Sequence, residues 1–416
     1  MNGPQSRTGP RLLHVVTSDL STRLMRGQLR YLSARGFDVF LTSSPGRDLE
    51  ATSSLEQVHA ISVPMVRENS PLQDLYALYR LYRLMRLLRP AITNVSTPKA
   101  GLLGGLAALL SRVPCRVYTL RGLRWETASG AKRLVLMIAD WVACHYAHRV
   151  VCVSQSVRNR AVACGLVDPD RTSVFGAGSS NGVDPARFGP TEEKLRRAIE
   201  IRERLGIPPT APVVGFVGRL TRDKGIPELY EAHKILRKEF SSLKLLLLGD
   251  YETGDPLPLR LQRAIGNDPS VIHPGFVDET SDFYHVFDML ALPSYREGFP
   301  NVVLEAQAAG RPVVAARATG TVDAITDGVT GLLVPIADQA ALAEALGKLL
   351  RNPTLATKMG IAGRARVLDE FKPEKIWRAL AEEYIQLLHI KGLPLPNSEI
   401  PSSDPFAVPG SLLSSS

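Results

Sequence analysis

The chain has 416 residues and is basic, with 50 lysines and arginines against 41 aspartates and glutamates and a formal charge of +9. This length allows two domains of ordinary size, each with its own core. Residues 1–190 carry 24 basic and 12 acidic residues, a net +12, so the remaining 26 against 29 give a net −3. No nucleic-acid-binding motif accompanies the basic half, which favours an anionic lipid or a phosphate-bearing acceptor over nucleic acid as its partner.

The first ten residues are polar, and no apolar stretch reaches the roughly 20 residues that span a bilayer. The four cysteines have no paired spacing, which favours a reducing compartment. We therefore expect a cytoplasmic location, with any membrane contact peripheral and at the inner face of the cell membrane.

The first half alternates short apolar runs with helical patterns. Strands are predicted over residues 12–17, 38–42, 91–95, 116–120, 150–153 and 172–175, and helices over residues 23–35 and 101–111. The alternation begins a right-handed parallel unit, because a strand, a helix and a second strand follow one another from residue 12 to residue 42.

A basic helix is predicted over residues 75–89. Arg80, Arg83, Arg86 and Arg89 recur at every third residue among leucine, tyrosine and methionine side chains. At the helical period these arginines cover half of the circumference and leave the opposite face apolar. Such a helix either packs on its own domain with the arginines in water or binds anionic lipid, and both interpretations remain open.

One group of metal-binding residue types occurs in the first half. Cys144, His148 and Cys152 would share one face of a continuous helix and could bind zinc there. The β-branched run over residues 149–153 predicts a strand instead, which breaks the spacing. Asp168 and Asp170 flank Pro169 in a polar turn, where such residues are common, so we expect no metal there either.

The second half again alternates strands with helices. Glycine, serine and proline become frequent over residues 178–190, so a domain boundary is predicted near Pro190, followed by a helix over residues 192–205. Strands are predicted over residues 213–217, 243–248, 271–273, 289–292, 313–315 and 332–334. The predicted fold class is α/β with two doubly wound parallel sheets in domains 1–190 and 191–390, a last helix over residues 373–388, and a disordered tail over residues 391–416.

The segment from Gly215 to Gly225 is a candidate phosphate-binding loop that follows the strand at residues 213–217 and precedes a helix near Pro227. Glycines such as Gly218 let the backbone approach a ligand closely. The planar fork of Arg219 and the point charge of Lys224 together suit a diphosphate. The segment is neither a Walker loop nor a Gly-x-Gly-x-x-Gly dinucleotide motif.

A second candidate anion site is the strand-to-helix turn after the strand at residues 289–292. Pro300 suits the start of a helix, whose first amides at Asn301 and Val302 carry the positive end of the helix dipole. Glu297 at the rim and Glu305 in the second turn cannot hold phosphate themselves, so their natural partners are the hydroxyl groups of a sugar or ribose.

These motifs resemble the large retaining glycosyltransferase family 4, which has the GT-B fold. The resemblance rests on Gly218-Arg219 with Lys224, on Glu297 to Asn301 with Glu305, and on the run from Asp327 to Val334. Three first-half segments, residues 97–101, 118–122 and 178–184, resemble the branch that builds polysaccharides on lipid-linked acceptors. The resemblance to the family covers roughly residues 11–390, nearly all of the chain with a foldable composition.

The resemblance implies a GT-B architecture, with two Rossmann-like domains facing each other across a cleft. It implies that Arg219 and Lys224 hold the donor diphosphate, that Glu305 binds the ribose and that Glu297 binds hydroxyls of the transferred sugar. The backbone of the turn lies near sugar and phosphate in this interpretation, through Gly298, Phe299, Pro300, Asn301 and Val302. The donor then binds the second domain while the acceptor approaches the first.

Arg121 departs from the family pattern, since many relatives have a histidine at this position beside the donor sugar. Arginine cannot accept a proton at neutral pH. It can neutralise the leaving diphosphate, so Arg121 is a candidate electrostatic stabiliser, the alternative being that it only shapes its loop.

The resulting hypothesis is a transferase that moves a hexose or N-acetylhexosamine from a UDP-sugar to a hydroxyl of a lipid-linked or glycan acceptor. Retention of configuration follows from the resemblance alone. No cofactor or metal is expected, because Arg219 and Lys224 would neutralise the diphosphate. Two alternatives remain: a GT-B enzyme of other chemistry, such as a sugar-nucleotide epimerase, and a noncatalytic membrane-surface protein that keeps the fold.

Overall fold

The computed structural model describes residues 9–66, 70–252 and 254–397 and contains two parallel sheets within them. The first sheet consists of β1 Arg11–Val15, β2 Asp38–Ser43, β3 His59–Ser62, β4 Ile92–Ser96, β5 Cys115–Leu120, β6 Arg149–Cys152 and β7 Thr172–Ser173. Its strand order is β3-β2-β1-β4-β5-β6-β7. Because β4 returns beside β1, the topology reverses there, and the crevice at the carboxyl edge of such a sheet is where ligands bind.

Helices cover both faces of the first sheet. They are α1 Gln28–Ala34, α2 Arg47–Glu56, α3 Pro71–Leu88, α4 Pro98–Leu110, α5 Gly130–Tyr146 and α6 Gln155–Ala163. The next helix, α7 Pro185–Phe188, packs on the second half instead, where Phe188 is part of the core. On one face, α4 packs between α3 and α5. Buried residues of these three helices form one core cluster, while α1 contributes to a separate cluster on the other face. Both faces of the sheet are therefore covered, as parallel sheets require.

The second sheet has the same architecture with one strand fewer. Its strands are β8 Val213–Val217, β9 Lys244–Leu248, β10 Val271–Gly275, β11 Met289–Leu292, β12 Val313–Ala316 and β13 Gly331–Val334, in the order β10-β9-β8-β11-β12-β13. The helices are α8 Glu192–Arg204, α9 Ile226–Arg237, α10 Leu259–Gly266, α11 Phe283–Val286, α12 Asn301–Ala308, α13 Thr321–Ala324, α14 Gln339–Arg351 and α15 Pro353–Glu370. The predicted α/β class with two doubly wound parallel sheets is confirmed.

The last helix, α16 Pro373–Ile390, lies against the first sheet although it follows the second in sequence. Leu380, Tyr384 and Leu388 of α16 are buried in the same cluster as Leu12 and Val39 of β1 and β2. The chain therefore returns to the first sheet, and α16 is part of the core of the first half.

Two predictions for the first half need correction. The helix predicted over residues 23–35 is a 3-10 turn, Asp19–Met25, followed by the separate helix α1. The break occurs at Gly27, whose φ of 78° lies in the left-handed region that glycine tolerates and a helix does not. β3 was not predicted, because its four residues alternate between half-buried and exposed positions and form no apolar run.

The predicted change from helix to strand between Cys144 and Cys152 is confirmed, since α5 ends at Tyr146 and β6 begins at Arg149. No group of three or more His, Cys, Asp or Glu side chains is placed to hold a metal ion in the part of the chain that the structure describes. Asp168 and Asp170 are exposed at a short 3-10 turn before β7.

None of the helices within the described ranges is long and apolar enough to cross a membrane. The predicted domain boundary near Pro190 falls between α7 and α8 and stays a prediction. Of the predicted tail, residues 391–397 have no helix or strand, and residues 398–416 lie outside the described residues.

Candidate active site

The two predicted anion loops lie side by side, because they follow neighbouring strands of the second sheet, β8 and β11. The loops also bind each other directly. The amide of Tyr295 donates to the carbonyl oxygen of Asp223 at 2.8 Å, and the Arg296 guanidinium donates to the Asp223 carboxylate at 2.8 Å. Burial opposes ionisation of Asp223, but a hydrogen bond from Thr221 and the charge of Arg296 lower the pKa of its carboxyl. A charged Asp223 therefore holds the two loops together.

Lys224 and Glu297, predicted as separate ligand contacts, form an ion pair with each other. The Nζ of Lys224 lies 2.5 Å from Oε1 of Glu297, and their side chains are only 18% and 12% exposed. The backbone amide of Glu297 is fixed by a 3.0 Å hydrogen bond to the carbonyl oxygen of Thr319. The structure thus brings one cation and one carboxylate together at the junction of the two loops.

Arg219 lies on the same loop but has a different partner. Its guanidinium forms an ion pair with Glu252, which follows β9, and the Arg219 side chain is about half exposed at 47%. Gly218 before it has a φ of 149°, in the region that favours glycine. Sequence reasoning missed Glu252, although an acidic residue after the strand adjacent to β8 is a usable signal for a partner of this arginine.

Glu305 is half-buried within α12 and accepts a 2.5 Å hydrogen bond from the hydroxyl of Tyr284. Burial raises the pKa of the Glu305 carboxyl, against the hydrogen bond from Tyr284, which favours the ionised form. Burial and the adjacent carboxylate raise the pKa of Tyr284 as well. Tyr284 was not predicted, because it belongs to the short helix α11 and carries no local signal.

The turn at residues 298–299 connects the second sheet to the first. The carbonyl oxygen of Gly298 accepts a 2.9 Å hydrogen bond from the hydroxyl of Ser154, the residue that caps the N-terminus of α6. A Cβ atom at Gly298 would lie 1.9 Å from the carbonyl oxygen of Arg121, so only glycine permits this approach. The ring of Phe299 lies 5.5 Å from that of Phe371. Pro300 precedes α12, so the amides of its first turn at Asn301 and Val302 lie at the same junction.

Arg121 lies in the loop after β5, on the first-sheet side of this contact. Burial lowers the pKa of its guanidinium to about 10, so it remains cationic at neutral pH. Its Nε is buried and has no hydrogen-bond partner among the described residues. Burial, followed by the positive charge of Arg121, lowers the pKa of His14 to about 3, so this histidine of β1 is neutral. His14 was missed because it lies in the middle of an apolar strand.

Further polar contacts cross between the two halves. The Thr319 hydroxyl donates to Glu126 at 3.0 Å, and the Arg296 guanidinium donates to the Thr127 hydroxyl at 2.8 Å. The Ser156 amide donates to Asp323 at 3.1 Å. These contacts frame the junction where Lys224, Glu297 and Arg121 lie, at the carboxyl edges of both sheets. The arrangement offers cations and helix amides to a diphosphate and carboxylates to hydroxyl groups.

Comparison with known proteins places both halves in one family. The sequence-family model described as glycosyl transferases group 1 matches residues 211–352. The family model described as Glycosyltransferase Family 4 matches residues 22–187. The chain is 34% identical over 376 residues to the capsular polysaccharide biosynthesis glycosyltransferase CapM of Staphylococcus aureus, covering 90% of this chain and 96% of CapM.

A second relative is the UDP-Gal:alpha-D-GlcNAc-diphosphoundecaprenol alpha-1,3-galactosyltransferase of Escherichia coli. It is 26% identical over 340 residues, which cover 80% of this chain and 85% of that enzyme. Among solved structures, HepE of Anabaena in complex with UDP-glucose has a TM-score of 0.76 at 21% identity, covering 90% of this chain and 99% of HepE. Both sheets thus have counterparts in one known fold, and the chain belongs to glycosyltransferase family 4, with the GT-B fold.

Proposed function

We propose that the protein transfers a hexose or N-acetylhexosamine from a UDP-sugar to a hydroxyl of a lipid-linked or glycan acceptor, with retention of configuration and without a metal ion. The reaction would serve polysaccharide or glycoconjugate biosynthesis. The proposed place of action is the cytoplasm, peripherally at the inner face of the cell membrane. The names of the relatives support this class, since one acts in capsular polysaccharide biosynthesis and another uses UDP-galactose with a diphosphoundecaprenol acceptor.

The ion pair between Lys224 and Glu297 is the observation that carries the proposal. A sugar diphosphate presents two anionic groups directly beside several hydroxyl groups, so its site needs a cation and a carboxylate next to each other. The 2.5 Å contact provides that juxtaposition at a largely buried position. A site for free phosphate would need no carboxylate there, because an acceptor-only group repels the anion.

The remaining residues have roles consistent with this arrangement. Arg219 would contact the diphosphate bidentately, and the α12 amides at Asn301 and Val302 would face it from the other loop. Glu305 would bind the ribose hydroxyls. In this proposal Arg219 and Lys224 supply the positive charge that a divalent cation supplies in other transferases.

The proposed reaction breaks the bond between the anomeric carbon and the diphosphate oxygen. A bond to the acceptor oxygen forms on the same face of the sugar, and the acceptor proton moves to the leaving phosphate. Negative charge grows on the diphosphate as the bond breaks, so a cation in a water-poor site stabilises this transition state. Arg121 is half-buried, remains cationic and lies in the loop of the first half that contacts Gly298, which suits that role.

The test measures UDP release from a panel of UDP-sugars with a lipid-linked acceptor, in the presence and absence of a chelator. We expect release with one or a few donors and no effect of the chelator. Lys224→Ala should abolish it, whereas Lys234→Ala, at an exposed lysine of α9, should not. Arg121→Ala should lower kcat by about 10² to 10³, as loss of one transition-state donor does. No release from any sugar nucleotide with any acceptor supplied would reject the transferase function in favour of a noncatalytic protein.

A further inference from the structure

The solvent-facing side of α5 is apolar, whereas a surface helix ordinarily exposes polar side chains and buries its apolar ones. Leu134, Val135, Ile138 and Trp141 are between 45% and 60% exposed. Their spacing places them on one side of the helix, while Asp140, Ala143 and Cys144 on the other side are buried. An unpartnered apolar face of this kind marks an interaction surface.

The neighbouring helices extend this surface. On α3, Leu72, Leu75, Tyr76, Tyr79 and Leu87 are at least half exposed, and Leu110 at the end of α4 is 54% exposed. Because α4 packs between α3 and α5, these side chains belong to one outer layer of the first domain. The layer holds ten of the 24 large hydrophobic side chains that are exposed in the described ranges, which is far more than a scatter of single residues would give.

The charge of this layer has one sign. Arg80, Arg83, Arg86, Lys132 and Arg133 are all exposed on α3 and α5. Helices α3, α4 and α5 contain two acidic residues, and neither is a free charge facing water. Asp74 pairs with Lys99 at 2.7 Å, and Asp140 is buried. Apolar side chains bordered by cations alone are complementary to the interface of an anionic bilayer.

The position of the layer also suits an acceptor that is held in a membrane. Helices that follow parallel strands begin at the carboxyl edge of the sheet, so the first turns of α3 and α5 lie on the side of the junction with the second sheet. The turn just before α5 carries Glu126 and Thr127, which contact the second sheet through Thr319 and Arg296. Leu134 and Val135 lie near the start of α5, at the end of the apolar face that is on this side.

We propose that the outer layer of α3 and α5 docks on an anionic phospholipid bilayer, with Leu134, Val135, Ile138 and Trp141 inserted at the headgroup boundary and the cations against the headgroups. The inference rests on the proposed function in one respect, since a membrane-linked acceptor is the reason for docking. Its test does not depend on that function, because vesicle binding is measured without donor or acceptor. It assigns the insertion to α5, whereas the sequence indicated only the basic helix over residues 75–89.

A second copy of the chain is the alternative occupant, and the charge argues against it. A two-fold dimer would place the same patch on both subunits, so the five cations of one layer would face the five of the other. Like charges across an interface are unfavourable. The same five cations are favourable against an anionic surface, at about 1 kcal/mol for each residue near it.

The test uses the full chain with no donor or acceptor and two kinds of vesicle: phosphatidylglycerol mixed with phosphatidylcholine in equal parts, and phosphatidylcholine alone. We expect flotation with the anionic vesicles only, weakening as salt is added. The variant Leu134→Ser/Ile138→Ser should bind at least about tenfold more weakly, since each side chain loses apolar burial. The matched control is Leu195→Ser/Ile199→Ser, which removes two exposed apolar side chains of α8 in the second half.

Tryptophan fluorescence identifies the inserted helix. The chain has three tryptophans. Trp125 is fully buried, Trp377 of α16 is half-buried and donates its indole N–H to Asn181 at 2.6 Å, and Trp141 alone lies on the exposed face of α5 at 45% exposure. A blue shift on vesicle binding should therefore arise from Trp141, disappear in Trp141→Phe and persist in Trp377→Phe. The charge variant Arg80→Glu/Arg83→Glu/Arg86→Glu should also reduce binding. UDP release with a short water-soluble acceptor should be unchanged in the α5 variant, which separates failure of docking from failure of the transferase proposal.

Three outcomes would overturn the docking proposal. The first is absence of binding to the anionic vesicles. The second is equal loss of binding in the α5 variant and the α8 control, which would mean that the loss is not specific to α5. The third is a dimer in sedimentation that the α5 variant dissociates, which would make the layer a contact between copies of the chain.

Discussion

Asp140 on α5 gives a prediction whose magnitude can be worked from the structure. Its side chain is 1% exposed and its Oδ1 accepts a 3.3 Å hydrogen bond from the hydroxyl of Tyr118. Burial raises the pKa of Asp140 from 3.8 to about 7, although the hydrogen bond from Tyr118 opposes the shift. The folded state therefore retains a proton that the unfolded chain releases.

The sign of the effect follows from this difference. The stabilising contribution of protonated Asp140 is fully present below about pH 4 and is lost as the pH rises through about 7. A rise of about three pKa units corresponds to about 4 kcal/mol, so the ionised group costs up to about that much above pH 7. Asp140→Asn removes the charge and keeps an oxygen that can accept from Tyr118.

The assay is urea unfolding of the wild type and Asp140→Asn at about pH 5 and about pH 8. We expect Asp140→Asn to be more stable at the higher pH, by up to about 4 kcal/mol, and the gain to shrink markedly at the lower pH. The same change at the exposed Asp170 is the control. A gain of equal size at both values, or a loss at the higher pH, would refute the reasoning.

The other predictions concern the site and its support. Gly298→Ala should reduce transfer by about 10²-fold, because the new Cβ would displace the loop that carries Arg121. Gly105→Ala, whose Cβ would have no neighbour within 4 Å, should keep full activity, and equal rates for the two variants would contradict this. Glu297→Gln should leave calorimetric UDP affinity equal or higher while transfer falls, since Lys224 loses its competing partner; weaker UDP binding would oppose it. Tyr384→Phe should lower thermal stability by about 1–3 kcal/mol because the buried Asn94 amide loses its 2.6 Å partner, and an unchanged melting temperature would count against it.

Local patterns predicted the strands and the loops. Buried parallel strands such as β8 and β11 are continuous apolar runs, which a sequence displays directly. The loop residues that follow them were identified for the same reason, since Lys224 and Glu297 lie within short motifs. The break at Gly27 was missed because the apolar residues on either side fit one helical pattern, and only the left-handed φ separates them.

The partners of the site residues depend on contacts between distant parts of the chain. Lys224 and Glu297 are 73 residues apart, and Arg219 and Glu252 are 33 apart. Such pairs follow from which strands become neighbours, and no local pattern encodes this.

The outward apolar face of α5 was not predicted for a related reason. A hydrophobic pattern shows that a helix has an apolar side, but it does not show whether that side meets the core or the solvent.

The central claim is that two cations hold the donor diphosphate, and calorimetry of UDP against uridine tests it most directly. Uridine keeps the base and the ribose but lacks the phosphates. Relative to the wild type, Arg219→Ala/Lys224→Ala should bind UDP at least about 100-fold more weakly, since each charge-assisted contact contributes about 1.5–3 kcal/mol. The same variant should bind uridine with unchanged affinity. Unchanged UDP affinity in this variant, or an equal loss for uridine, would contradict the claim.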